Sequence, residues 1–183
     1  MPSNGLQEPW NSFLQSLDEQ LTAYTELHCF GGFVVAELYG LARPTADIDV
    51  IESRGTDQAT LVALAGKGSA LHEKYGVYVD LVTIASVPED YESRLVVVFP
   101  DRFRNLTLKA FERHDLVLAK LARNIDRDRE DLEALARGPG LDVELLRERY
   151  ERELRPILGR PEREDLTLDL WIDIIKETAI HRP

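Results

Sequence analysis

Cysteine is nearly absent from the sequence, and long apolar runs are absent altogether. The single cysteine, Cys29, cannot form a disulfide within the chain and cannot supply a zinc site made of several cysteines. A membrane-spanning helix needs about 20 consecutive apolar residues, and no run in the sequence approaches that length. The polar, acidic N-terminal region also lacks the pattern of a signal peptide. These features predict a cytoplasmic protein that does not contact a membrane.

Basic residues are also scarce. The chain has 22 lysine and arginine residues against 33 aspartate and glutamate residues, which gives a net charge of −11. Such a charge argues against a protein that captures nucleic acid with its whole surface. Residues 1–108 carry 7 basic and 15 acidic side chains, whereas residues 109–165 carry 13 and 15. A nucleotide must therefore be bound locally, and an RNA end is expected to enter along the later segment, near Arg123, Arg127 and Arg129.

The pattern of apolar residues predicts an α/β (α+β) protein. A length of 183 residues with 44% hydrophobic residues suits one compact unit with a helical appendage. The interpretation is a small mixed β-sheet flanked by helices in residues 1–110, followed by a helical segment, 111–183, that packs on this core and forms one wall of a cleft. Predicted strands are 27–30, 48–51, 77–84, 95–99 and 106–110, the second and third being covered on both faces. Predicted helical regions are 10–24, 33–39, 56–75, 116–122, 132–136, 142–150 and 166–180. The second of these helices is expected to stop at Gly40, and the third region to break at 66–68.

Two aspartates at the start of the second predicted strand carry the most informative pattern. Asp47 and Asp49 are two residues apart, so their carboxylates point to the same face of the strand. Such a pair suits Mg²⁺, which prefers one or two protein carboxylates together with water and substrate phosphates. The Gly31-Gly32 turn lies between a strand and a helix, where backbone N–H groups and the positive end of a helix dipole can face a phosphate.

A third carboxylate belongs to the next predicted strand. Asp80 is an ionisable group in the otherwise apolar segment 77–84, and burying it would be costly unless it binds a cation or strong donors. A neighbouring strand could place it beside Asp47 and Asp49. Three carboxylates around a two-metal Mg²⁺ site, facing a turn that holds phosphate, suit the attack of a hydroxyl on the α-phosphate of an NTP, with pyrophosphate as the leaving group.

The spacing of these residues resembles that of a known enzyme group. Gly31-Gly32 is followed after fourteen residues by Asp47-Ile48-Asp49, with Arg43-Pro44-Thr45 just before the aspartates. This arrangement resembles the minimal nucleotidyltransferases of the polymerase-β-like superfamily. More narrowly, it resembles the abortive-infection (AbiEii-type) toxin nucleotidyltransferases and their uncharacterised bacterial relatives.

A second block of residues extends the resemblance. Asp115–Arg123 and Arg127–Leu132 are similar to the helical lysine motif and the Arg-Asp-x-x-Asp motif of that group. The resemblance implies that Asp47 and Asp49 bind metal and triphosphate, and that Asp80 completes the metal site and helps to activate the acceptor hydroxyl. It further implies a nucleotide-binding role for a set comprising Gly31, Gly32, Arg43, Thr45 and Lys120. Two departures stand out: Phe33 replaces the usual small residue after the glycines, and Val34-Val35 replaces the more frequent pair of a small residue and leucine.

Structural explanations exist for most of these residues. An Asp-Ile-Asp sequence alone is more often a strand edge or a turn, and Gly31-Gly32 could simply end a strand. Asp80 could pair with Arg43, and Lys120 could extend along its helix to solvent. Arg127, together with Asp128 and Asp131, could form surface ion pairs. The combination of the glycines with all three aspartates nevertheless favours the nucleotidyltransferase interpretation.

The function predicted from the sequence is Mg²⁺-dependent transfer of NMP from an NTP to a hydroxyl acceptor. The acceptor is an RNA 3′ end or a protein side chain, and the resemblance alone implies a toxin-like role with a cognate partner protein. One alternative is a non-catalytic binding or antitoxin-type module that keeps the fold, which a site plugged by Phe33 or by the C-terminal helices would favour. Another is an aminoglycoside nucleotidyltransferase.

Overall fold

The computed structural model describes residues 5–40, 44–138 and 140–180, and of Ile180 it describes only the backbone. The described chain forms two compact units. The first contains the chain through Thr83 together with Leu95–Phe111, and the second contains Ile84–Arg94 and the chain from Glu112 onward. No helix within the described ranges has the length and apolar character needed to cross a membrane.

The first unit is built on a five-stranded mixed sheet with the strand order β3-β2-β1-β5-β4. Strand β1 pairs antiparallel with β2 and parallel with β5, β2 pairs parallel with β3, and β4 pairs antiparallel with β5. Four helices accompany the sheet. The strands are β1 (Thr25–Phe30), β2 (Asp47–Arg54), β3 (Tyr78–Leu81), β4 (Val96–Val98) and β5 (Leu106–Ala110), and the helices are α1 (Trp10–Gln20), α2 (Gly31–Tyr39), α3 (Gln58–Ala65) and α4 (Ala70–Tyr75).

Local sequence explains where these helices begin and end. The predicted strand, glycine turn and helix are confirmed, because β1 runs directly into α2 at Gly31, and α2 ends at Gly40 with a left-handed φ of 74°. The predicted break in 56–75 separates α3 from α4, and each begins with a side-chain cap, from Asp57 and Ser69 respectively. Helix α1 ends at Gln20, four residues earlier than predicted, because the backbone is already extended at Leu21.

The second unit consists of helices together with one short segment from earlier in the chain, Ile84–Arg94. The Arg94 guanidinium attaches this segment by donating to the fully buried Asp115 carboxylate at 2.8 and 3.1 Å and to Glu153 at 2.6 Å. The helices are a 3₁₀ turn (Tyr91–Arg94), α5 (Arg113–Arg123), α6 (Asp126–Arg137), α7 (Val143–Arg149) with a π-helical turn (Tyr150–Leu154) and a 3₁₀ turn (Arg155–Ile157) after it, and α8 (Glu162–Ile180).

The predicted fold class, a mixed sheet core with flanking helices and a C-terminal helical segment, is confirmed. The prediction that β2 and β3 are covered on both faces was wrong. Strand β2 has one buried face and one partly exposed face, which carries Asp47 and Asp49. Strand β3 also has an exposed face. It is the edge strand of the sheet, and Asp80 on it is exposed to solvent. The cost of burial expected for Asp80 therefore does not arise. Its apolar neighbours Val77 and Val79 are buried because they face the core.

Candidate functional site

The register of two parallel strands brings three predicted carboxylates together. Asp47 on β2 pairs with Tyr78 on β3, and Asp49 pairs with Asp80. Because alternate residues of a strand share a face, these four side chains form a two-by-two group on one face of the sheet. On the other face, Ile48 and neighbouring apolar residues are fully buried in the core. The alternation within Asp-Ile-Asp therefore follows from a strand with one apolar face and one polar face.

The three carboxylates are close enough to share a cation. One oxygen from each of Asp47, Asp49 and Asp80 lies within 4.8 Å of one oxygen from each of the others. Asp47 and Asp49 are partly exposed and Asp80 is exposed. Like charges at this separation repel one another, and a bound cation would relieve the repulsion. The arrangement thus provides a set of oxygen ligands that solvent and ions can reach.

The glycine turn approaches this group directly. A Cβ placed at Gly31 would lie 1.8 Å from Asp49 Oδ2, and Gly31 also has a left-handed φ of 77°. Both facts require glycine at this position. Asp49 is consequently held against the first residue of α2, where the positive end of the helix dipole favours a negative charge. A Cβ at Gly32 would lie 3.5 Å from Thr45 Oγ1, so the second glycine also borders the site.

Thr45 orients the first aspartate. Its hydroxyl lies 2.9 Å from Asp47 Oδ1 and 3.2 Å from the Asp47 carbonyl oxygen, and it can donate to either of them. This contact fixes the carboxylate at the entrance to β2. Arg43, which was predicted to bind nucleotide, lies outside the described residues.

Phe33 does not occupy the site. Its side chain is 1% exposed, and its ring packs edge-on against Trp10 with a centroid separation of 4.9 Å. The bulky residue after the glycines therefore belongs to the core of the first unit. Phe33, in place of the usual small residue, changes the packing beneath α2. Its ring does not cover the polar face of the sheet.

Sequence reasoning missed Tyr78. Burial of its hydroxyl raises the pKa of Tyr78, and the charges of Asp47, Asp80 and Asp49 raise it further, together with hydrogen bonding to Asp47. The tyrosine thus completes the group formed by the three carboxylates. A signal was present in the sequence, since Tyr78 precedes Asp80 by two residues just as Asp47 precedes Asp49. Only the parallel register shows that the two pairs lie side by side.

Lys120 lies in the second unit, on α5, and is 3% exposed. Its Nζ donates to Asp131 at 2.5 Å and lies 3.7 Å from Asp128, and both aspartates are fully buried. Asp128 also accepts two hydrogen bonds from the Arg123 guanidinium at 2.6 and 3.1 Å. The alternative of a lysine that extends to solvent is wrong, because α6 covers this face of α5. A phosphate contact by Lys120 stays a prediction.

The expectation of surface ion pairs in the Arg-Asp-x-x-Asp segment was also wrong. Arg127 is exposed, but Asp128 and Asp131 face inward from α6 and are buried. The helical spacing of the two aspartates, three residues apart, places both on the face that meets α5. This segment forms a buried charge cluster with Lys120 and Arg123.

A comparison with protein families identifies the family of the chain. Residues 11–178 match the model of a family described as a nucleotidyltransferase of unknown function (DUF6036). The chain belongs to this family. The matched range extends over both compact units, and membership supports general nucleotidyl transfer. The narrower resemblance to AbiEii-type toxins rests on the motifs alone. No curated protein and no solved structure shows significant similarity to the chain.

Proposed function

We propose that this member of the nucleotidyltransferase family transfers NMP from an NTP to a hydroxyl acceptor in a Mg²⁺-dependent reaction. The observation that carries the proposal is the group of three carboxylates on one sheet face, with the first residue of α2 directly against Asp49. Family membership supports the reaction class. The requirement for Mg²⁺, the acceptor and the biological role are parts of this proposal.

The three candidate ligands suit a hard divalent cation, which prefers oxygen ligands. All three candidate ligands are carboxylate oxygens, which Mg²⁺ prefers, and their partial exposure leaves room for the water and phosphate ligands that Mg²⁺ retains. Asp47, Asp49 and Asp80 would hold the metal. When bound, a pair of such ions neutralises charge on the phosphates and stabilises both the attacking and the leaving oxygen.

Residues of the chain itself would bind the triphosphate, position Asp47 and accept the proton of the acceptor hydroxyl. Gly31 and Gly32 let the triphosphate approach the backbone at the start of α2, and Thr45 keeps Asp47 in place. Asp80 lies at the solvent-exposed edge strand, where it can accept the proton of an incoming hydroxyl. A bond forms between the acceptor oxygen and the α-phosphorus, the bond from that phosphorus to pyrophosphate breaks, and the proton leaves with the base.

An Asp49→Asn variant tests the proposal. It removes one negative charge from the carboxylate group with little change in shape, so Mg²⁺-dependent NTP binding should weaken while the thermal unfolding temperature stays close to that of the wild type. Binding is measured by titration calorimetry with each of the four NTPs, with and without Mg²⁺.

The matched control for this experiment is Asp101→Asn. Asp101 is an exposed aspartate of the same unit at a left-handed φ of 59°, which asparagine tolerates. This variant should bind NTP like the wild type. Equal binding by both variants, or wild-type binding that does not depend on Mg²⁺, would contradict the proposal.

The acceptor is identified by incubating the protein with each labelled NTP, Mg²⁺ and either total RNA or total protein. An RNA 3′ end and a protein side chain both offer a hydroxyl, so the fraction that takes up label decides between them. A toxin-like role with a cognate partner protein would then be tested by expressing the active chain and the Asp49→Asn variant in a bacterial host and comparing growth.

A further inference from the structure

A short loop beside the carboxylate group presents an exposed lysine in a defined position. Lys67 lies between α3 and α4, and a glycine stands on each side of it. A Cβ at Gly66 would lie 2.6 Å from the Val62 carbonyl oxygen, and Gly68 has a left-handed φ of 87°. The loop depends on both glycines for its shape.

Three further contacts connect this loop to Tyr78. The Gly68 N–H donates to His72 Nδ1 at 3.0 Å, so neutral His72 carries its proton on Nε2. The His72 ring meets the Tyr78 ring edge-on, with centroids 5.1 Å apart, and Lys67 Nζ lies 5.7 Å from the centroid of the same ring. This distance is within the range of a cation–π contact. Lys67 is therefore positioned beside the tyrosine that pairs with Asp47.

The charge on Lys67 is available to a ligand. Lys67 is exposed, and among the described residues no carboxylate lies within ion-pair distance of it. Two other cations of the first unit are engaged by carboxylates: Lys109 Nζ lies 2.8 Å from Glu26, and Arg54 Nε lies 2.8 Å from Glu52. In a unit dominated by acidic side chains, an unpaired cation next to a cluster of carboxylates is suited to an anion.

The strand order places Lys67 on the opposite side of the carboxylates from the glycine turn. Strand β2, which carries Asp47 and Asp49, lies between β1, which leads into Gly31, and β3, which carries Tyr78. A triphosphate near Gly31 would therefore leave the β3 side open. We propose that Lys67 is a phosphate-binding residue on the β3 side of this site, an inference that rests on the proposed nucleotidyl transfer.

The phosphate could belong to the NTP or to the backbone of an RNA acceptor, and two measurements distinguish these sources. The first is calorimetric titration of Lys67→Ala with the Mg²⁺–NTP that binds the wild type best. The second is binding of a short single-stranded RNA at several salt concentrations. If the triphosphate is the ligand, NTP affinity should fall about tenfold, as expected for the loss of one charged hydrogen bond.

If the RNA backbone is the ligand, NTP affinity should be unchanged and RNA affinity should fall. The slope of log affinity against log salt concentration should then decrease by about 0.7, the value for one phosphate contact to a single strand. Lys67→Arg should retain most of the affinity in either case, because it keeps the charge.

Lys74→Ala is the matched control. Lys74 is also an exposed lysine over a tyrosine ring, with its Nζ 4.8 Å from the centroid of Tyr75, but Tyr75 contacts Ser16 of α1 and does not pair with the carboxylate strand. If Lys67→Ala and Lys74→Ala bind both probes equally well, the inference is overturned. Failure of the wild type to bind any Mg²⁺–NTP would instead overturn the proposed function, which keeps the two failures separate.

Discussion

Replacement of Lys120 by methionine should destabilise the second unit strongly. The substitution keeps the length and most of the apolar volume of the side chain but removes its charge. Asp131 and Asp128, which are 1% and 0% exposed, would then lose the ammonium that lies 2.5 and 3.7 Å from them. Asp128 keeps its contact with Arg123 in this variant.

The expected size of the effect follows from the burial of the pair. Removing one partner of a buried ion pair typically costs about 3–5 kcal/mol, because a charge is left in a medium of low polarity without its partner. For a chain of this length, each kcal/mol lowers the melting temperature by about 2–4 °C. Lys120→Met should therefore melt roughly 6–20 °C below the wild type.

A double-mutant cycle gives the decisive measurement. Lys120→Met, Asp131→Asn and the double variant are compared by urea unfolding, and Lys176→Met serves as the control because Lys176 is an exposed lysine of the same unit. The double variant should recover much of the stability lost by Lys120→Met, since asparagine at position 131 carries no buried charge. A Lys120→Met protein that unfolds like Lys176→Met, yet no longer binds NTP, would refute the structural reasoning and favour the predicted phosphate contact instead.

Two further predictions concern titratable groups. Burial alone would raise the pKa of Glu112, but hydrogen bonding to His114 and the charges of His114 and Arg149 lower it to about 2. The stabilisation by ionised Glu112 is therefore complete above about pH 4.5 and is lost as the pH falls towards 2. The difference in unfolding free energy between the wild type and Glu112→Gln should shrink across that pH range. A difference that stays constant would contradict this prediction. The pKa of the Cys29 thiol is raised by burial and by the charge of Asp49, so iodoacetamide should label Cys29 in urea but not in the native protein, as mass spectrometry would detect.

Much of the fold could be predicted from the sequence because its elements have clear local signals. The turn at Gly31 and the stop at Gly40 fixed the bounds of α2 to within two residues, and the glycines at 66–68 marked the break between α3 and α4. The position of β3 in the sheet could not be predicted in this way. Its apolar residues suit an edge strand and a central strand equally well, and strand order depends on contacts between distant parts of the chain.

The candidate site was predictable to a similar extent. Asp47 and Asp49 share a face because of strand periodicity alone, whereas the proximity of Asp80 depends on a register that only the folded sheet defines. The spacing of Tyr78 and Asp80 gave a signal, but only the same register shows which strand they pair with. Lys67 had no motif to mark it, and its position follows from the loop before α4. The environment of Lys120 was misjudged because the sequence of α5 does not indicate which face α6 covers.

The distribution of charge in the first unit also bears on how an acidic protein could accept an anionic substrate. Under the proposed function, the group formed by Asp47, Asp49 and Asp80 would repel a free triphosphate, whereas the same carboxylates would bind the metal ion of a Mg²⁺–nucleotide complex. Lys109 and Arg54 of the sheet are already paired with carboxylates, so discrimination would depend mainly on the metal and on nearby cations such as Lys67. If the proposed function holds, an acidic site of this kind would favour the metal-bound nucleotide over the free triphosphate.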